Sequence, residues 1–139
     1  MIAHFGKPHL LLVMMLVSSV WADEVPEPDP APSREFSGET KKEVSGSSHA
    51  RPIFTAAEYE GVWKDLGLAG SPGEVDFLRE YVVLATTRGS RVGLRCRDEG
   101  GGKLTVSAMS TRDIRPGLRY VFGVFSKKEW KEINGSSVP

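Results

Sequence analysis

Apolar residues recur at two different spacings along this chain, and the change of spacing separates one predicted helix from a run of predicted strands. Tyr59, Val62, Trp63 and Leu66 stand at i, i+3, i+4 and i+7, which puts them on one stripe of an amphipathic helix. Thr55 followed by Glu58 has the form of a capping box at its start, and Phe54 with Tyr59 is spaced to make a hydrophobic staple. Gly67, with Gly70 and the Ser71-Pro72-Gly73 turn beyond it, predicts where the helix ends.

Downstream the spacing drops to two. Tyr81 to Thr87 is a nearly unbroken β-branched and apolar run, the pattern of a strand buried on both faces in mid-sheet. From Arg91 to Arg97 the pattern alternates: Val92, Leu94 and Cys96 point one way, and Arg91, Arg95 and Arg97 the other. Leu104, Val106 and Ala108 line one face of a third strand, so the Asp98-Glu99-Gly100-Gly101-Gly102 segment reads as a hairpin loop. A turn at Arg115-Pro116-Gly117 leads into Leu118 to Phe125, where Leu118, Tyr120, Phe122 and Val124 share a face. Trp130, Ile133 and Val138 close the chain around a turn at Asn134-Gly135. The fold class this predicts is α+β, confined to residues 53–139: a small antiparallel β-sheet or partly open barrel of four to five strands. One N-terminal amphipathic helix packs on it.

Residues 1–22 follow a different rule. Lys7 precedes an apolar run from Leu10 to Val20, and small residues end it before Asp23, which is the form of a signal peptide cleaved between Ala22 and Asp23. A run of about eleven apolar residues is too short to span a bilayer, so the membrane is met only through this segment during export. The expected location is secreted or periplasmic. Residues 23–52 are rich in Pro, Glu and Ser, with Phe36 their only aromatic, and they predict a disordered tether that serves as a spacer rather than a docking peptide.

Charge and reactive side chains narrow the function. Residues 53–139 hold 13 Lys and Arg against 11 Asp and Glu, and residues 23–52 hold 4 against 7. A faintly basic domain behind an acidic tether lacks the footprint of a nucleic-acid binder. The three histidines are His4, His9 and His49, so residues 53–139 contain no imidazole for a nucleophile–base pair or a His-bearing metal site. Cys96 is the single cysteine; it reads as a small core residue, because alternation turns the neighbouring Arg95 and Arg97 away from it. Glu74, Asp76, Glu80, Asp98 and Glu99 could serve acid–base chemistry, yet each falls in a turn or at an element end, where exposed acids are usual. Gly100-Gly101-Gly102 lacks the Lys-Ser/Thr pair and the following helix of a phosphate loop. Asn134-Gly135-Ser136 matches a glycosylation acceptor in form, but reads first as a turn. No catalytic residue, cofactor or metal site is therefore expected, and the domain is read as not an enzyme. The residues that invite a partner are Arg91, Arg95 and Arg97, a predicted basic row on one sheet face suited to an acidic protein surface or a polyanion.

The order of features also resembles a known family. A helix carrying Trp63, then Val75-Asp76-Phe77-Leu78-Arg79-Glu80 running into Tyr81-Val82-Val83-Leu84-Ala85, then Gly89 before a second strand, is similar to the PrcB-like C-terminal domain family. Phe125-Ser126-Lys127 and Ile133-Asn134-Gly135 look like its final strand and tail. Where members often carry a Thr-Gly-Gly-Tyr-like turn, this chain has Gly89-Ser90-Arg91-Val92-Gly93. The resemblance implies a non-catalytic module that stabilises an exported protease complex, so the expected partner is another extracytoplasmic protein, a protease among the candidates. The alternative is a small protease inhibitor that inserts the loop of Asp98, Glu99, Gly100, Gly101 and Gly102 into an active-site cleft.

Overall fold

The two-faced apolar run at residues 81–87 demands cover on both sides, and the computed structural model supplies it with two different layers. It describes residues 26–42 and 49–139. In chain order these form β1 (Arg34–Thr40), β2 (Arg51–Ile53), α1 (Ala56–Asp65), β3 (Glu80–Thr87) and β4 (Val92–Gly100). They continue with β5 (Lys103–Ser110), β6 (Leu118–Ser126), β7 (Glu132–Ile133) and β8 (Ser136–Ser137). One antiparallel sheet runs β1-β6-β3-β2; the other runs β4-β5-β7-β8, with β5 and β7 parallel.

The first sheet is the middle layer. Val82, Leu84, Leu118, Phe122 and Val124 face α1, where Tyr59, Val62 and Leu66 are buried against them and Trp63, Phe77 and Tyr120 close the edges. On the opposite face Tyr81, Val83 and Phe125 meet Cys96, Leu104, Val106 and Ile133 of the second sheet. Alternation along β3 and β6 thus feeds two separate cores from one pair of strands. Gly123 makes the close approach possible, since a Cβ there would lie 2.6 Å from Leu94 Cδ1.

Several expectations change here. The single sheet or partly open barrel is replaced by two sheets of four strands, because a barrel has one inner face and this chain has two apolar faces on β3 and β6. The helix is not the first element: β1 and β2 precede it. The Phe54–Tyr59 staple is not made, since alternation after Ile53 sends Phe54 to the far side of the sheet, where its ring lies 5.7 Å from Tyr81. Half of the capping box forms: the Glu58 backbone N–H donates to Thr55 Oγ1 at 3.2 Å, while the Glu58 carboxylate takes Arg51 instead, at 2.8 Å. The helix stripe and its stop at Gly67, with φ +68°, stand as expected.

The tether reading of residues 23–52 also fails in part. Residues 34–40 form a seven-residue edge strand in register with β6, from Arg34 opposite Val124 to Thr40 opposite Leu118. Its side chains are mostly exposed, so its stability comes from the main chain. Without it the central strand β6 would leave a row of N–H and C=O groups unpaired. Thr40 Oγ1 donating to the Leu66 carbonyl at 2.7 Å and an Arg34–Glu80 ion pair at 2.9 Å pin its two ends. The expected signal peptide and its expected Ala22–Asp23 cleavage point lie outside the described residues. Among the described residues no helix is long and apolar enough to cross a membrane.

Candidate functional site

β3 ends and β6 begins at the same end of the molecule, Thr87 opposite Arg119, so the loops that leave them are brought side by side. Residues 88–91 and 111–117 are stitched together there. Gly89 is buried so close to the other loop that a Cβ would lie 2.4 Å from the Thr111 carbonyl oxygen, which only glycine permits. Asp113 is the clip. Its Oδ1 accepts from the Ser90 backbone N–H at 3.0 Å and the Ser90 hydroxyl at 3.1 Å, and its Oδ2 accepts from Arg115 Nε at 3.0 Å. The Thr111 hydroxyl accepts from the Arg91 backbone N–H at 3.1 Å, and the Arg115 N–H donates to the Arg88 carbonyl at 2.8 Å.

Hydrogen bonding, first through the Thr111 side chain and then through Ser90 and Arg115, holds the Asp113 carboxyl far below the ordinary carboxylate range. A group depressed in the fold contributes stability above its unfolded value near 4, and that contribution fades only as pH falls through the lower folded value. The Ser90 amide resonance is therefore expected to hold its position from pH 7 down to pH 4. A titration step centred near pH 4 would contradict the clip.

The clipped loops carry Arg88, Arg91, Arg112 and Arg115, all exposed, and β1 delivers Lys41 and Lys42 to the same end just beyond Thr40. Ile114, 76 % exposed, projects from among them. Beside them Arg119 is largely buried, its side chain 17 % exposed: Nη2 donates to the Pro116 carbonyl at 3.0 Å and lies 3.5 Å from Glu39, while Nη1 is buried without a partner. Two clefts share Arg119 and Glu39. One, about 400 Å³, is lined by Ser37, Ser90, Arg91 and Tyr120; the other, about 580 Å³, by Thr40, Lys41, Pro116 and Gly117.

The predicted arginine row divides. Arg95 and Arg97 stand exposed on β4, but Arg91 precedes the strand and belongs to the basic end. Arg97 lies 3.5 Å from Glu99 and shares a cleft of about 520 Å³ with Glu27, Asp29, Asp98 and Glu129, so its charge is answered locally. The loop of Asp98, Glu99, Gly100, Gly101 and Gly102 is a tight hairpin tip. Asp98 Oδ1 accepts from the Gly100 N–H at 2.7 Å, and Gly100, Gly101 and Gly102 all take left-handed φ, of 83°, 63° and 75°. Four of the five carboxylates considered for acid–base work make separate local contacts: Glu80 holds Arg34, Asp76 accepts from the Leu78 N–H, and Asp98 and Glu99 serve the hairpin.

Cys96 is buried between the sheets, and desolvation, assisted by Glu35 and Asp29, pushes its thiol up to about 11. At pH 8 roughly one molecule in a thousand would then carry the thiolate that reacts. Native protein is expected to react with a thiol-specific disulfide reagent at least a hundred times more slowly than urea-unfolded protein; equal rates would show an open site. Asn134 is the turn residue that its sequence suggested, with φ 48°, but its amide is also committed. Oδ1 accepts from the Val106 N–H at 2.8 Å and Nδ2 donates to the Val106 carbonyl at 3.0 Å, so the side chain does the work of a further β-strand residue. Nδ2, the atom to which a glycan would be attached, is engaged.

Sequence reasoning missed Arg119 and the two lysines, because Lys41, Arg91 and Arg119 are far apart along the chain and meet only through strand pairing. Comparison with models of known families, with curated proteins and with solved structures finds no match.

Proposed function

We propose that this is an exported binding or scaffolding module that docks on an acidic face of another extracytoplasmic protein through the end formed by residues 88–91 and 111–117. The observation that supports it is the clip: several internal hydrogen bonds hold loops whose outward side chains are arginines around an exposed isoleucine. Arginines on clipped loops and one apolar anchor are the composition of a protein-binding patch, and preorganised loops lose little entropy on docking. The leader-like residues 1–22 support export, and the resemblance to the PrcB-like family supports a partner in a protease complex. The basic end carries more of the reading than the sheet face, because Arg97 has acidic neighbours and the end is predominantly basic.

Capture from an extract of exported proteins tests it. Arg91→Glu with Arg112→Glu is expected to abolish recovery of the partner, whereas Arg95→Glu with Arg97→Glu leaves it unchanged. The opposite pattern would return the site to the sheet face. The inhibitor reading has less support: a tip of three left-handed glycines folds back on itself and offers a protease cleft no extended side-chain-bearing segment. Micromolar inhibition of any protease in a panel would revive it.

A further inference from the structure

Resting on the docking role just proposed, we infer that the cleft of about 400 Å³ between Arg91 and Arg119 is the seat of a single carboxylate on the partner, an Asp or Glu side chain. Two arginines on different elements, one on the clipped loop and one on β6, line the same small cleft with Ser90. Among the described residues Arg91 has no ion pair. Arg119 Nη2 is held by the Pro116 carbonyl at 3.0 Å and lies 3.5 Å from Glu39, at the lip of this cleft. A guanidinium presents parallel N–H donors that match the two oxygens of a carboxylate.

Glu39 shows which anion suits the place. Its carboxylate stands 3.5 Å from Arg119 Nη2 on a side chain 75 % exposed, a loose contact that gives way readily to a better-placed acceptor. It also keeps one negative charge at the rim, which repels a phosphate dianion more strongly than a monoanionic carboxylate. The cleft therefore selects for an acidic side chain, while the surrounding exposed arginines supply the longer-range attraction.

The test is an NMR titration of the purified protein with hexaglutamate, and in parallel with inorganic phosphate, following the Arg91 and Arg119 side-chain Nε–Hε signals and the Ser90 amide. Hexaglutamate is expected to shift these signals saturably. Arg119→Lys should weaken binding about tenfold, since an ammonium cannot offer the paired donors, and Glu39→Gln should tighten it a few-fold by removing the competitor. If Arg119→Lys disturbs the backbone spectrum, Arg91→Gln, on an exposed loop, carries the same comparison. Unchanged affinity in the cleft variants, with loss only on Arg112→Glu, would overturn the cleft and leave the basic-end reading standing. No binding of hexaglutamate by the wild type would overturn both, and tighter binding of phosphate would overturn the choice of carboxylate.

Discussion

Phe122→Ala is expected to lower the unfolding free energy by about 4 kcal/mol in urea denaturation, within the range for removing a buried aromatic ring. The ring is fully buried on the helix face of β6 and touches three others, with centroids 5.5 Å from Tyr59, 5.9 Å from Trp63 and 5.5 Å from Tyr120. It is the point at which α1 is fastened to the sheet. Removal deletes the transfer energy of the ring and leaves a cavity that the first sheet and the helix, each held by other contacts, cannot close. A domain of this size has about 5 to 10 kcal/mol in total, so the loss takes a large fraction of its stability. Phe36→Ala, at the cross-strand neighbour but 38 % exposed, is the control and should cost about 1 kcal/mol or less. Equal losses at the two positions would show that Phe122 does not hold the layers together.

Asn134→Ala is expected to cost about 3 kcal/mol, the second-largest single effect. Two terms contribute. The substitution removes both hydrogen bonds that the side chain makes to Val106, and so leaves an N–H and a C=O of a buried strand residue without partners. It also places alanine at φ 48°, a left-handed conformation that Asn tolerates and Ala resists by about 1 kcal/mol. Asn134→Gly separates the terms, because glycine relieves the backbone strain but makes neither bond. It should recover about 1 kcal/mol of the loss, measured by the same denaturation. Full recovery would mean that the side-chain clamp contributes nothing, and the two terminal strands would then be fastened by the packing of Ile133, Trp130 and Val138 and by the main-chain bonds to β5.

Much of the fold was legible because it rests on periodic side-chain patterns. The stripe Tyr59, Val62, Trp63 and Leu66 named the buried face of α1, and the two-sided run at residues 81–87 named the centre of a sheet. β1 was illegible for a physical reason. A strand held through its main chain at a sheet edge needs no apolar face, and Arg-Glu-Phe-Ser-Gly-Glu-Thr carries only Phe36 as a trace of its position. The staple misled because the spacing of Phe54 and Tyr59 is compatible with contact, yet a β-strand ending at Ile53 sets Phe54 on the far face.

The candidate site was legible only in its residue types. An excess of arginine after residue 87 was visible, and alternation arranged Arg91, Arg95 and Arg97 in one row. Asp113, Gly89 and Thr111 then draw Arg91 off that row into a clipped loop, and pairing of β6 with β3 and β1 brings Arg119, Lys41 and Glu39 up to it.

Local order along the chain determined which stretches become helix or strand and which of their faces turn from water, since those follow from neighbours within one or two turns or pleats. What covers each face, whether a polar edge is paired, and which distant charges meet were decided by tertiary packing alone. Contacts between residues tens of positions apart leave no local pattern of their own, because each partner's requirement is met only when the other arrives.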